Sequence, residues 1–201
     1  MLAIVNQKGG VGKTTTAINL GASLAAEQRR CLLMDLDPQG NLTSSLGIGL
    51  AEDGFSTYDI VVDREPIANS LARSEVPGLA LAPSDPSLAA ADLALADEEP
   101  DPRARALRLR SALEEWEATD PGFDFVLLDC PPSLGLLTIN ALVAADGVLV
   151  PMQCEFFAMQ GLARLLDTVR RIGEDWNPGL GLAGIIFTMV DRRTRLTQEV
   201  T

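Results

Sequence analysis

A glycine-rich loop near the N-terminus limits which folds this chain can adopt more than any other part of the sequence. The loop reads KGGVGKTT over residues 8–15, directly after a short apolar run and directly before an amphipathic segment. Glycines let a loop turn so tightly that successive backbone N–H groups point at one spot, and the N-terminus of a following helix adds positive potential there. An apolar strand, this loop and a helix together predict a phosphate-binding loop.

The side chains of the loop suit a nucleotide that carries magnesium. The Lys13 ammonium is predicted to reach the β- and γ-phosphates, the Thr14 hydroxyl to ligate magnesium, and Thr15 to bond a phosphate nearer the nucleoside. The candidate nucleotide-binding residues are Lys8, Gly9, Gly10, Val11, Gly12, Lys13, Thr14 and Thr15, joined by Asp37 and Pro131 from later loops.

A second lysine opens the loop. The usual pattern has glycine six residues before the phosphate lysine, where this chain has Gln7, and Lys8 follows it. Lys8 is not needed to cradle phosphate in its own subunit. It can instead reach across a dimer interface and neutralise charge on the phosphoryl group held by the facing subunit, as an arginine finger does. The alternative is a solvated lysine at the edge of the loop.

Carboxylates follow two of the apolar runs. One run ends in Asp35-Leu36-Asp37, and a later run ends in Asp129 before a Cys-Pro-Pro-Ser loop. Because ligands bind at the carboxyl ends of parallel strands, Asp37 is predicted to position or polarise the attacking water and Asp129 to hold magnesium. Asp35 can hold the loop or join the magnesium shell. The candidate metal ligands are Thr14, Asp37 and Asp129, and the candidate catalytic residues are Lys8, Lys13 and Asp37.

Short apolar runs alternate with longer amphipathic segments, which predicts an α/β fold with a mainly parallel β-sheet flanked by helices. The predicted strands are residues 2–6, 31–35, 79–82, 124–129, 147–152 and 184–188, and the predicted helices are residues 13–27, 103–118, 134–145 and 156–173. The acidic stretch 90–102 is interpreted as a helix end and a loop. With no internal repeat and no long linker, residues 1–201 are predicted to form a single domain.

Composition excludes several other classes of protein. The chain has no histidine, so neither Ser-His-Asp nor Cys-His catalysis is possible, nor is a histidine-ligated metal. Its three cysteines form no CxxC pair, which argues against a disulfide framework or a zinc site. A net charge of −12 excludes coating of nucleic acid by bulk positive charge, but not a local basic patch. The apolar stretches are too short to cross a bilayer and no signal peptide is visible, so a cytoplasmic location and no membrane partner are expected.

Four segments together resemble the ParA/Soj family of chromosome- and plasmid-partitioning ATPases, which carry a deviant Walker A motif. They are residues 6–16 (NQKGGVGKTTT), 35–41 (DLDPQGN), 129–142 (DCPPSLGLLTINAL) and 151–158 (PMQCEFFA). The resemblance runs from residue 2 to about residue 200 and is looser between residues 50 and 120. It implies a P-loop NTPase fold, ATP and ADP as nucleotides, and Mg²⁺-dependent hydrolysis of ATP to ADP and phosphate.

The resemblance also implies partners. In this family ATP closes two subunits into a sandwich dimer, the dimer binds DNA without sequence preference, and a ParB-type centromere-binding protein stimulates hydrolysis. A homodimer associated with the nucleoid is therefore expected, with Lys8 as signature lysine, Asp37 as the residue needed for hydrolysis and Asp129 as the Walker B aspartate. The DNA-contacting arginine falls on Arg193, in a basic cluster with Arg192 and Arg195. The chain, which ends at residue 201, is expected to lack the family's C-terminal segment of roughly fifty residues.

Two other functions stay open. A MinD-like, membrane-associated cell-division ATPase would have the same fold and would be distinguished by a C-terminal amphipathic helix. The string at residues 35–41 favours partitioning instead. A nucleotide-binding interaction protein with impaired catalysis would keep the loop without turnover, and the intact set of catalytic and metal-binding candidates argues against it.

Overall fold

The computed structural model describes residues 1–49, 54–119, 122–155 and 158–190. Within these residues the strands are β1 (Leu2–Ile4), β2 (Cys31–Asp35), β3 (Ala72–Arg73), β4 (Leu79–Ala82), β5 (Phe125–Asp129), β6 (Gly147–Gln153) and β7 (Gly181–Thr188). They form one sheet in the order β3-β4-β2-β5-β1-β6-β7, in which every neighbouring pair is parallel except β3 with β4. The predicted mainly parallel sheet is confirmed.

Helices pack on both faces of this sheet. They are α1 (Lys13–Ala26), α2 (Asn41–Ser45), α3 (Thr57–Val61), α4 (Ala91–Glu98), α5 (Pro102–Ala106), α6 (Arg108–Thr119), α7 (Leu136–Ala144) and α8 (Ala158–Asp175), with 3₁₀ turns at Ile67–Ser70 and Pro86–Ala90. One hydrophobic cluster joins the sheet to α1 and α2, and a larger cluster joins the opposite face to α3, α4 and α6–α8. No helix in the described ranges is both long and apolar enough to span a membrane.

Strand β2 shows why the central strands are continuous apolar runs. All five of its residues are buried. Leu33 belongs to the cluster under α1, whereas Leu32 and Met34 belong to the cluster on the other face. Successive side chains of a strand point to opposite faces, so a strand covered on both sides needs apolar residues throughout. Helix α1 packs so closely here that a Cβ at Gly21 would lie 2.9 Å from Leu33 Cδ2.

The predicted helix over residues 103–118 is wrong in one respect, because it is two helices that break at Leu107. The buried side chain of Asn140, on α7, takes the backbone groups at the break. It accepts a hydrogen bond from Leu109 N at 3.1 Å and donates one to the Arg105 carbonyl at 3.0 Å. A tertiary contact therefore replaces the helical hydrogen bonds that periodicity predicted.

The interpretation of residues 90–102 also needs correction. Most of this stretch is α4, and its Ala91 and Leu95 are fully buried in the larger cluster. Helices α2 and α3 and strand β3 were not predicted, since each has at most five residues and no usable periodicity. The other predicted helices match α1, α7 and α8 within a few residues, with residues 156–157 outside the described part.

The strand order places three chain segments at one edge of the sheet. Strand β5 lies between β1 and β2, with Asp129 in register with Ile4 on one side and with Asp35 on the other. The loop that follows β1 therefore leaves the sheet beside both carboxylates. This carboxyl edge is where parallel α/β sheets bind ligands.

Candidate active site

The loop after β1 turns as its glycines require. Gly10 and Gly12 have φ values of 72° and 87°, in a region that L side chains rarely adopt. Gly12 is the N-cap residue of α1, and no side chain caps that helix. The first N–H groups of an uncapped helix need an acceptor, which a phosphate oxygen can supply. The backbone therefore forms an anion-binding loop.

Two side chains from neighbouring strands fasten this loop. Thr188, at the end of β7, donates its hydroxyl to the Val11 carbonyl at 2.8 Å. Gln153, at the end of β6, donates its side-chain amide to the Gly10 carbonyl at 3.2 Å. Both bonds use backbone carbonyls, so neither of them occupies an N–H group that could bind a ligand.

Lys13 and Asp129 form the charged centre of the site. Lys13 is 8% exposed and Asp129 is 1% exposed. Burial lowers the pKa of Lys13, whereas the nearby carboxylates of Asp129 and Asp37 raise it. Burial raises the pKa of Asp129 to about 7, although the Thr14 hydroxyl and the Lys13 ammonium lower it. The phosphate lysine and both predicted carboxylates are thus close enough to interact electrostatically.

The surroundings of Asp129 fit a magnesium site. Neither carboxylate oxygen of Asp129 has a hydrogen-bond partner of ordinary geometry among the described residues. The Thr14 hydroxyl nevertheless lies near enough to lower the pKa of Asp129. A buried carboxylate without a partner is unfavourable, and a cation would remove that cost. Within the described ranges, no group of three or more acidic, cysteine or histidine side chains forms a metal site. Mg²⁺ bound with a nucleotide needs only one or two protein oxygens, which Thr14 and Asp129 can supply.

The two carboxylates after β2 have different surroundings. Asp35 is fully buried and accepts hydrogen bonds from the Thr43 N–H at 2.9 Å, the Thr43 hydroxyl at 2.7 Å and the Asp37 N–H at 3.2 Å. Burial raises the pKa of Asp35, and these hydrogen bonds lower it. Two roles were predicted for Asp35, holding the loop or joining the magnesium shell. These contacts support the first, because they hold the loop that carries Asp37. Asp37 is partly exposed, and its Oδ1 accepts from Gln39 N at 3.0 Å.

Lys8 is paired within its own chain. Its Nζ lies 2.5 Å from Glu155 Oε2 and 3.5 Å from Gln153 Oε1. Both of these residues lie at the carboxyl end of β6. About half of each side chain in the Lys8–Glu155 pair is exposed. Neither the solvated lysine nor the contact across a dimer describes this arrangement, so the predicted role between subunits stays a prediction.

The remaining predicted residues divide into two groups. Pro131 is buried at the start of the loop after β5, and the Ser133 carbonyl of this loop accepts the Thr138 hydroxyl of α7 at 2.6 Å. The predicted DNA-contacting residues Arg192, Arg193 and Arg195 lie outside the described residues.

Several side chains that contact the site were not predicted from the sequence. Gln153 and Glu155 lie within residues 151–158, a segment that matched the family without any assigned role, so its polar residues were the available signal. Thr188 and Ser84 belong to no motif, and their contacts with the site depend on which strand ends lie beside it.

Comparison with known families and proteins supports the resemblance seen in the four sequence segments. A family model described as an AAA domain matches residues 1–182. The chain is 48% identical over 200 residues to the chromosome partitioning protein ParA of Caulobacter vibrioides (strain NA1000 / CB15N), covering 100% of this chain and 73% of that protein. It is 46% identical over 200 residues to the sporulation initiation inhibitor protein Soj of Bacillus subtilis (strain 168), covering 100% and 76%. It is 48% identical over 199 residues to the chromosome-partitioning ATPase Soj of Treponema pallidum (strain Nichols), covering 99% and 75%.

Solved structures share the fold across nearly the whole chain. Cobyrinic acid a,c-diamide synthase from Mycobacterium smegmatis, with bound ADP and magnesium, has a TM-score of 0.89 and 41% identity, covering 99% of this chain and 78% of that one. A putative plasmid partition protein from Borrelia burgdorferi B31, bound to AMPPNP, has a TM-score of 0.81 and 26% identity, covering 99% and 79%. The fold thus holds adenine nucleotides in both of these proteins.

Proposed function

Because the chain belongs to the ParA/Soj family of chromosome-partitioning ATPases, we propose that it binds ATP with Mg²⁺ and hydrolyses it to ADP and phosphate. One observation carries this proposal, the buried Lys13 next to the unpartnered Asp129 carboxylate at an uncapped helix N-terminus. Such a site offers a cation and backbone donors to the phosphates, and a free carboxylate to their metal ion.

The residues divide the work of phosphoryl transfer among them. The loop N–H groups and Lys13 hold the β- and γ-phosphates, and Thr14 and Asp129 hold the magnesium ion. Bound Mg²⁺ neutralises charge that develops on the phosphoryl oxygens. Asp37, on the loop after β2, accepts a hydrogen bond from the attacking water and orients it. Basal turnover is slow, because the Asp37 side chain and the loop bearing Pro131 must close on the γ-phosphate before the water is positioned.

We assign Lys8 to the partner subunit's nucleotide in an ATP-bound homodimer. The support is the charge and position of Lys8. As an exposed cation at the outer edge of the loop, it can reach a phosphate on a facing subunit, whereas Lys13 is buried. In the protomer this cation is paired with Glu155. Dimer closure therefore requires the lysine to exchange that carboxylate for a phosphate.

We further propose that the ATP-bound dimer binds duplex DNA without sequence preference and that a ParB-type partner stimulates its hydrolysis. A chain with a net charge of −12 repels DNA in bulk, so binding depends on the local cluster of Arg192, Arg193 and Arg195. One cluster makes few phosphate contacts, each worth about 0.9 in the salt slope. A dimer presents two clusters to one duplex, which adds avidity. Such binding would associate the protein with the nucleoid.

The proposed activity is tested by phosphate release from ATP with Mg²⁺ or with a chelator, and with or without duplex DNA and a ParB-type protein. Asp37→Ala should retain ATP binding but lose about a hundredfold in turnover, because the hydrogen bond that orients the attacking water disappears. The exposed Asp175, at the end of α8, supplies a control in Asp175→Ala. Turnover of Asp37→Ala at the unmodified rate would remove Asp37 from the mechanism. ATP binding with no turnover by the unmodified protein would favour an interaction protein with impaired catalysis.

The proposed DNA binding is tested separately, by comparing duplex binding at low and moderate salt with ATP and with ADP. We expect binding with ATP alone, weakened as salt rises. Arg193→Glu should abolish it while leaving ATP turnover in the absence of DNA unchanged. Equal binding by Arg193→Glu and the unmodified protein would take this residue off the DNA surface.

A further inference from the structure

We infer that Ser84 is a positioning residue for Asp37 and acts through a closed ring of hydrogen bonds. The ring joins Asp35, Asp37, Thr43 and Ser84, and is called the Asp35 ring below. This inference rests on the proposed function, because the group that the ring positions is the carboxylate proposed to orient the attacking water.

The Asp35 ring has four hydrogen bonds at the carboxyl ends of β2 and β4. The Ser84 hydroxyl donates to the Asp37 carbonyl at 2.6 Å, and the Ser84 N–H donates to the Thr43 hydroxyl oxygen at 3.0 Å. The Thr43 hydroxyl donates to Asp35 Oδ2 at 2.7 Å, and the Asp37 N–H donates to Asp35 Oδ1 at 3.2 Å. Each residue makes two of these contacts, so the ring closes on itself.

Three members of the ring are buried, with exposures of 0% for Asp35, 5% for Ser84 and 7% for Thr43. In such surroundings each hydrogen bond is stronger than in water, so the loss of one weakens the support of the whole ring. Asp37 is the member that is partly exposed at the crevice. The ring is thus a rigid base that carries one accessible carboxylate.

The ring holds the Asp37 backbone from both sides. Its N–H is bound by Asp35, and its carbonyl is bound by Ser84 and by the Gly40 N–H at 2.9 Å. Asp35 is itself anchored, because its carbonyl accepts the Thr57 hydroxyl at 2.7 Å. With the Cα of Asp37 held in this way, its carboxylate leaves the loop from a defined point. Misplacement of a catalytic group by about 1 Å can cost a hundredfold in rate, so this support matters to hydrolysis.

Ser84 can do this because β4 lies beside β2. Met34 pairs with Ala82 in the parallel register, so Ser84 follows β4 at the level where the loop carrying Asp37 leaves β2. A residue at this point needs a hydroxyl to reach the Asp37 carbonyl, and a free N–H to reach Thr43. Alanine would keep the second contact and lose the first.

The inference is tested with Ser84→Ala and with Thr43→Val, which removes the ring hydroxyl while keeping the shape of the side chain. Thr43→Ser keeps the hydroxyl and serves as the conservative variant. Ser74→Ala is the matched control, because the partly buried Ser74 hydroxyl donates to the Leu79 carbonyl at the other end of β4, at 2.9 Å. For each variant we would measure kcat and KM for ATP, and amide hydrogen exchange over residues 37–43. Circular dichroism establishes that each variant is folded.

Both ring variants should exchange the amides of residues 37–43 faster than the unmodified protein. Their kcat should fall by about tenfold with KM unchanged, because the phosphate-binding loop is untouched. Thr43→Ser and Ser74→Ala should behave as the unmodified protein. Unchanged exchange in Ser84→Ala would overturn the ring, and faster exchange with unchanged kcat would overturn its role in hydrolysis. Absence of turnover in the unmodified protein would count against the proposed function, while hydrogen exchange would still decide the ring.

Discussion

Lys8 and Glu155 form an ion pair across the outer edge of the nucleotide loop, with 2.5 Å between Nζ and Oε2. The pair joins the start of the phosphate-binding loop to a residue just beyond the end of β6. It occupies the lysine that we assign to the partner subunit's phosphate. In the proposed dimer, Lys8 must break its contact with Glu155 before it can reach that phosphate.

Glu155→Gln should make ATP-dependent dimerisation easier. Exposed ion pairs contribute about 0.2–1 kcal/mol each, and closure of a homodimer breaks one pair in each subunit. Removal of both carboxylates should therefore strengthen the dimer by up to about thirtyfold. Sedimentation analysis over a range of protein concentrations with ATP would measure this. Glu174→Gln breaks a comparable pair with Arg170 on α8 and should change nothing. A weaker dimer in Glu155→Gln would show instead that Glu155 orients the lysine within the dimer.

Lys13→Ala and Lys8→Ala should separate nucleotide binding from dimer formation. Lys13 is buried beside Asp129, so its removal takes away the phosphate contact and should abolish nucleotide binding by the protomer. Lys8 is half-exposed and paired with Glu155, so Lys8→Ala should bind ADP normally but fail to dimerise with ATP. Calorimetric titration with ADP, followed by sedimentation with ATP, distinguishes them. Loss of ADP binding in Lys8→Ala would place this lysine on the nucleotide of its own subunit.

Asn140→Ala should destabilise the fold by about 2–3 kcal/mol. The Asn140 side chain is fully buried and bonds Leu109 N and the Arg105 carbonyl, and its removal leaves buried backbone groups unsatisfied. Urea denaturation gives the free energy of unfolding. Asn69→Ala, which removes an exposed asparagine bonded to Glu65, is the control and should cost little. A loss below about 0.5 kcal/mol for Asn140→Ala would mean that water replaces the side chain at the helix break.

Alkylation of the native protein should modify Cys154 alone among its three cysteines. Burial raises the pKa of the Cys31 thiol to about 12, and burial and the neighbouring Asp129 raise the pKa of Cys130. Both are therefore protonated and inaccessible, whereas Cys154 is partly exposed. Mass spectrometry after iodoacetamide treatment should find one adduct, and none in Cys154→Ser. Rapid modification of Cys31 or Cys130 without denaturant would show instead that the buried thiols become exposed in the native protein.

Local signals made much of the site predictable. The positive φ values at Gly10 and Gly12, the helix beginning at Lys13 and the strand ending at Asp129 all depend on neighbours within a few residues. The continuous apolar character of β2 and β5 follows from burial on both faces, which needs no knowledge of which strand lies beside them. For the same reason, the α/β class and the position of the loop were predicted correctly.

Other features could not be predicted because they depend on which strands become neighbours. The bond between Ser84 and Asp37 joins residues 47 positions apart, and the bond between Lys8 and Glu155 spans 147 positions. Apolar strands of similar composition can be ordered in a sheet in many ways, and the hydrophobic pattern is the same in each. The sequence alone determined the phosphate-binding loop and the carboxylates that follow the strands. Only the order β4-β2-β5-β1-β6 decided which polar side chains hold them, because side-chain hydrogen bonds reach about 3 Å and therefore require adjacent strand ends.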